Sequence, residues 1–171
     1  NLKKTAKRWF DANDISPSIY AWNYNMLQST EPNAILLTNG DNDTYPSLIL
    51  QYAKDIRPDV KVMNLSLMGK DNYRTTYFEE LGIPQMTKKM EEHKDRKAFQ
   101  KAFVQHLKNH SYRPLYFAIS TPQPLYEEYK SEVHNIGLAY KWSEQKFDNI
   151  AVIKKNFEKN YLLDYMKVEL Q

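Results

Sequence analysis

Short apolar runs alternate with amphipathic stretches along this chain, and the clearest alternation spans Ala34 to Gly69. Ala34-Ile35-Leu36-Leu37-Thr38 is a compact apolar run, read as a strand. Asn39-Gly40-Asp41-Asn42-Asp43 breaks it with turn residues. Thr44 to Ile56 has helical spacing, with Leu48, Ile49, Tyr52, Ala53 and Ile56 on one side. Arg57-Pro58-Asp59 is expected to stop that helix, because the residue before a proline avoids the helical region. Val60 to Leu67 is a second strand. Two strands joined by a crossover helix of this length pair in parallel, with a right-handed crossover. The loop after the first strand then lies at the carboxyl end of a parallel sheet, where open α/β folds place ligands.

The same pattern organises the rest. Leu2 to Phe10 reads as a helix with Trp9 and Phe10 at its apolar end. Ser16 and Pro17 can cap and begin a second helix running to Ser29. Tyr73 to Leu81 is a short helix closed by Gly82, and Ile83 to Glu92 is irregular and charged. Asp95 caps an amphipathic helix to Asn109, with Phe99, Ala102, Phe103, His106 and Leu107 on one face. Leu115 to Ser120 is a third strand, followed by Thr121-Pro122-Gln123-Pro124 and a short helix over Leu125 to Tyr129. Val133 to Trp142 reads as one further strand at an edge. Phe147 to Leu170 is helical by period, through Ile150, Ile153, Phe157, Tyr161, Leu162, Tyr165 and Met166.

The expected architecture is a three-layer α/β domain over residues 1–171. Its small, mostly parallel sheet has order 2-1-3 plus an edge strand, with helices on both faces. The helical flanks 1–16 and 147–171 are expected to continue into a larger protein. In that order the loop 39–43 and the loop at Ser120 and Thr121 face one crevice, beside the end of the second strand at Asn64 and Ser66.

Composition narrows the chemistry. The 171 residues are 42% apolar and 26% charged, which is a globular balance. The formal charge of +3, without a long basic run, does not point to nucleic acid. Lys3, Lys4, Lys7 and Arg8 carry much of the basic excess and read as a solvated helix face. No cysteine is present, so thiolate catalysis and cysteine-based zinc sites are excluded. No run approaches the roughly 18 apolar residues of a membrane span.

The candidate chemistry sits in Asn39, Gly40, Asp41, Asn42, Asp43 and Thr44. Asp41 and Asp43, two apart after a strand, can hold a hard divalent cation through oxygen. The spacing resembles the DxD that holds a metal-bound nucleotide sugar in one class of glycosyltransferase. It also resembles the nucleophile loop of haloacid-dehalogenase-type phosphatases, although Thr44 follows the second aspartate at once rather than two residues later. The structural alternative is a tight turn at Asn39-Gly40, a cap from Asp43 or Thr44, and Pro46 in the first turn of the helix. Carboxylates, amides and nearby aromatics (Tyr45, Tyr73, Trp22) also suit sugar hydroxyls and sugar faces. Asn64, Ser66, Ser120 and Thr121 are the other candidate ligand contacts. The four histidines lack a metal-binding pattern, and Ser66 and Ser120 lack a nucleophile-elbow sequence.

PNAILLTNGDNDTYP followed by IRPDVKVMNLSLM resembles the C-terminal soluble part of the bacterial DUF2723 family, which typically reads PNAILFTNGDNDTFP and RTDVRVVNLSLL. RPLYFAIST and NIGLAYKWS resemble its later strands, so the likeness covers about residues 17 to 142. Members of that family are mostly multi-spanning membrane proteins similar to lipid-linked-sugar-dependent glycosyltransferases, including protein O-mannosyltransferases. The resemblance implies an extracytoplasmic, periplasmic module beside such an enzyme, with no catalytic residue to carry over. Three functions remain open. One is an accessory or ligand-binding module taking a glycan or other polar small ligand. Another is a metal-dependent enzyme acting on phosphate or sugar-phosphate through Asp41 and Asp43. The third is an interaction domain that meets a protein or membrane partner through its aromatic surface and the segment Phe147 to Leu170.

Overall fold

In the computed structural model, which describes residues 1–164, the chain forms a five-stranded open sheet with helices on both faces. The order of elements is α1 (Leu2–Ala12), α2 (Pro17–Gln28), β1 (Ile35–Thr38), α3 (Asp41–Lys54), β2 (Lys61–Asn64), α4 (Asp71–Leu81), α5 (Arg96–His110), β3 (Leu115–Ala118), β4 (Val133–Asn135), β5 (Ala139–Trp142) and α6 (Asn149–Lys155). The sheet order is β2-β1-β3-β5-β4. β1 pairs in parallel with β2 and β3, in registers Leu36 with Val62 and Leu36 with Tyr116. β5 adds antiparallel to β3, and β4 to β5. The three-layer α/β architecture and the central order 2-1-3 are as the sequence pattern predicts.

Alternation along the strands divides the core in two. Ile35, Leu37, Met63 and Phe117 face α4 and α5, where Phe78, Phe99 and Phe103 pack on them. Leu36, Val62, Tyr116 and Ala118 face the other way, onto Met26, Leu27 and Leu50 of α2 and α3. Several helix ends follow local chemistry. Ser16 accepts the Ile19 amide with Pro17 at the first helical position. Asp95 accepts the Ala98 amide, and Gly82 ends α4 in the left-handed region.

Five elements differ from the sequence reading. The third helix starts at Asp41, three residues early, and ends at Lys54 because Asp55, not Pro58, turns left-handed (φ 57°). The second strand stops at Asn64, whose side-chain oxygen accepts the Ser66 and Leu67 amides and turns the chain away. The short helix expected over Leu125 to Tyr129 is two 3-10 turns, Gln123–Leu125 and Glu127–Tyr129.

The single strand expected over Val133 to Trp142 is a hairpin, β4 and β5. Asn135 accepts the Gly137 amide at 2.9 Å, and Gly137 adopts φ 115°. A Cβ there would lie 2.5 Å from the Tyr161 hydroxyl. Gly137→Ala is therefore expected to cost about 1–3 kcal/mol through backbone strain and a forced shift of Tyr161, measured by urea unfolding.

The long helix expected from Phe147 shortens to α6 and a π-helical turn, Asn156–Asn160. Its end is pinned from elsewhere in the fold. Tyr161 Oη accepts the Leu138 amide and contacts Ser29 Oγ at 2.6 Å. Asn25 bonds both the amide and the carbonyl of Leu162. The part of that expected helix from Tyr165 to Leu170 lies outside the described residues.

The link from α3 to β2 is closed by Arg57, itself left-handed at φ 47°. All five of its N–H groups are used. They reach the carbonyls of Leu27 in the last turn of α2 and of Thr30 and Glu31 beyond it, and both oxygens of Asp59. Asp59 also accepts the Asn33 amide at 2.9 Å. Arg57 and Asp59 thus tie α2, the entry to β1 and the entry to β2 together; they are turn residues of the link to β2, while the end of α3 is set earlier, at Asp55.

Candidate functional site

The turn after β1 is shorter than its polar sequence suggests. Only Asn39 and Gly40 lie between Thr38 and the first residue of α3. Gly40 is extended (φ −116°), so the turn does not depend on a positive φ there. Asp43, at the third helical position, reaches back instead. Its Oδ1 accepts the Gly40 amide at 2.8 Å and its Oδ2 accepts the Asn39 amide at 3.0 Å. The Ser120 hydroxyl, arriving from the end of β3, also donates to Oδ2. Asp43 is 2% exposed. Its carboxylate answers three donors at the positive end of a helix, where a negative charge is favoured.

Thr44 is the second inward group of that turn and is fully buried. Its hydroxyl donates to the Gly40 carbonyl at 2.6 Å and accepts from Asn64 Nδ2 at 2.9 Å, with Thr38 Oγ1 at 2.7 Å. Thr121 donates to the Leu37 carbonyl at 3.3 Å. Side chains from the ends of all three parallel strands therefore converge on one helix start. Of the crevice residues, Asn64 meets Thr44 from a buried position and Ser120 meets Asp43 from an exposed one, while Thr121 is tied to β1. Ser66 contributes its backbone amide to Asn64.

Pro46 sits in the second turn of α3 rather than the first. There it removes the donor that the Asn42 carbonyl would receive four residues on. Asn23 of α2 supplies the replacement, with Nδ2 2.8 Å from that carbonyl, while its Oδ1 accepts from Ser47 at 2.8 Å. Asn23 and Ser47 are fully buried. Sequence reasoning missed both. The one signal available was a proline inside a helical pattern, which leaves a carbonyl in need of a partner.

Asp41 and Asn42 occupy the same turn and point outward. Among the described residues neither side chain has a hydrogen-bond partner. The two aspartates are therefore unequal: Asp43 has its lone pairs turned inward, and Asp41 has an open carboxylate. Among the described residues no three His, Asp or Glu side chains are placed to share a metal ion. Of the aromatics considered for a sugar face, Tyr45 is 40% exposed, and its ring lies 6.5 Å from that of Trp9 on α1. Trp22 packs against the α2/α3 core, and Tyr73 pairs with Tyr77 on α4. The accessible groups at the start of α3 are thus Asp41, Asn42, Tyr45 and the neighbouring Trp9. Carboxylate, amide and two half-open rings can meet hydroxyl groups and the apolar face of a small polar ligand.

His106 stacks on Phe78, with the His110 ring tilted against it at 4.5 Å, and burial pushes the His106 imidazole below its usual range. Its Nε2 lies 2.7 Å from the Pro84 carbonyl. His106 thus belongs to the packing of α5 on α4, and His110 is exposed beside it.

The family described as TMEM260-associated domain 2 matches residues 19–91 of the chain. No curated protein and no solved structure matches it significantly. The matched stretch runs from α2 through the Asn39–Thr44 turn and β2 into the segment after α4, and it holds both sequence blocks of the β1-α3-β2 unit.

Proposed function

We propose that this chain is a non-catalytic α/β accessory module of a membrane glycosyltransferase-like protein family, working on the extracytoplasmic side. In this reading the first turn of α3 presents a small polar ligand, such as a glycan, with Asp41, Asn42 and Tyr45. The observation that carries it is the division of that turn. Asp43 and Thr44 hold the scaffold, while Asp41 and Asn42 face solvent without internal partners. The family match covers the same residues as the NGDNDT and RPDV blocks that carry the resemblance. The reading of a metal-dependent enzyme using both aspartates has less support, since a nucleophile or ligand needs an outward lone pair and Asp43 is committed to backbone amides.

The test is thermal unfolding of the wild type and Asp41→Asn. Probes are Ca²⁺, Mg²⁺, Mn²⁺, EDTA and a set of neutral hexose oligosaccharides. A ligand at ten times its Kd is expected to raise the wild-type midpoint by about 3–6 °C by mass action. The shift should vanish in Asp41→Asn. A cation shift would place Asp41 at a metal site, and a sugar shift without metal would make the turn a direct glycan contact. A wild type that responds to none of these probes overturns the reading.

A further inference from the structure

We propose that the outer face of α1 docks the domain on an anionic lipid surface. α1 is the least buried of the long helices: Ala6 is its one buried residue, with Phe10 partly covered. The rest of its circumference is open. Leu2 and Trp9, seven residues apart and so on one face, are 65% and 52% exposed. Arg8 and Lys4, four apart, lie on the solvent side of that pair, beyond Thr5 and Ala12, whereas Lys3 and Lys7 lie past the stripe of Ala6 and Phe10 that faces the domain. Lys7 pairs with Asp11 at 2.6 Å. Lys3, Lys4 and Arg8 have no carboxylate partner among the described residues. Apolar anchors flanked on the solvent side by unpaired cations, whose long stems can reach down to headgroups, are the pattern of a helix lying in a membrane interface.

The indole fits this role because it has an apolar body and a polar edge, which settle at headgroup depth. Its apolar surface continues onto the exposed Tyr45 ring of α3. The cations supply long-range attraction to a negative surface, each strengthening binding severalfold at moderate salt. Phosphates of a nucleic acid would answer the same charges, but they leave Leu2 and Trp9 without a counterpart. The exposed indole and aliphatic group favour the bilayer. This inference does not rest on the reading of the α3 turn.

The experiment is co-sedimentation of the full chain with phosphatidylcholine vesicles, with and without phosphatidylglycerol, at low and high salt. Tryptophan emission is followed in parallel. Binding is expected only with the anionic lipid and is expected to weaken with salt. Lys4→Glu with Arg8→Glu should weaken it by about tenfold or more. Both sites are exposed, and an unchanged circular dichroism melt checks the fold of that variant. A blue shift of emission on vesicles is expected from the wild type and should be lost in Trp9→Phe. The proposal is overturned if the chain ignores anionic vesicles, if it binds pure phosphatidylcholine equally well, or if the charge-reversed variant binds unchanged. It is equally overturned if duplex DNA is bound more tightly than the vesicles with no Trp9 response.

Discussion

Asp43→Ala is expected to lower the unfolding free energy by about 3 kcal/mol, roughly 6–12 °C in midpoint for a domain of this size. The loss has a specific origin. Two backbone amides, of Asn39 and Gly40, lose their acceptor, and so does the Ser120 hydroxyl. Asp43 is 2% exposed and Thr44 fully buried beside it, while Asn39 and Gly40 are half-buried and Ser120 is exposed, so the cost falls mainly on the two amides, which lose a charged acceptor at the helix start. A normal helix cap is worth about 1 kcal/mol. The remainder comes from releasing β3 from the start of α3. Asp41→Ala, two residues away but open to solvent, should cost under about 1 kcal/mol, mainly through the helix dipole. Ser120→Ala should cost about 1 kcal/mol, and its effect should largely disappear in an Asp43→Ala background. Urea unfolding of the wild type, the three single variants and the double variant measures all of this. Equal losses for Asp41→Ala and Asp43→Ala would mean that the buried network does not hold the turn.

Arg57→Met is expected to cost about 3 kcal/mol, since it removes five hydrogen bonds from one guanidinium while keeping its length. Three carbonyls at and beyond the end of α2 lose a charged donor, and Asp59 loses a fork-like partner. This substitution should also change the response to acid. The hydrogen bond from Arg57 is the main reason that the Asp59 carboxyl is held down to about 2. A carboxylate with a lowered folded value stabilises the fold fully above its unfolded value, near 4. That contribution is lost as pH falls from about 4 towards 2. Wild-type stability should therefore drop through this window. Arg57→Met should start lower and fall less steeply there. Urea midpoints at neutral pH and across the acid range give both readings. A variant that retains the full wild-type slope would remove Arg57 as its cause.

These two residues share a feature that bears on function. Each is a charged group in a polar motif that could pass for a binding site, and each is consumed in joining segments distant in the chain. Asp43 and Ser120 are 77 residues apart, and Arg57 and Leu27 are 30 apart. The chemistry left for a ligand is what these ties do not use: Asp41, Asn42 and Tyr45 on the outside of the start of α3, with Trp9 of α1 beside them.

Much of the framework was legible in the residues because it follows from local rules. Short continuous apolar runs at Ala34 to Thr38 and from Leu115 make central strands buried on both faces. A helix of suitable length between Thr38 and Lys61 forces a parallel crossover. Ser16-Pro17, Asp95 and Gly82 act within one turn of themselves as caps and stops. Such signals need no knowledge of what lies across the fold.

The elements that differed were decided at longer range. Asp43 reached back to Asn39 and pulled the start of α3 forward, and Asn23 made Pro46 tolerable in its second turn. The periodicity after Phe147 was helical, yet Tyr161 and Leu162 leave the helix because Ser29, Leu138 and Asn25 hold them. The sequence by itself determined the α/β class, the β1-α3-β2 unit and the polar character of its turn. Only the tertiary structure decided which of those polar groups are buried partners and which remain open. The physical reason is that a carboxylate or hydroxyl has the same donors and acceptors in either role. Its role depends on whether groups tens of residues away arrive to saturate it before a ligand can.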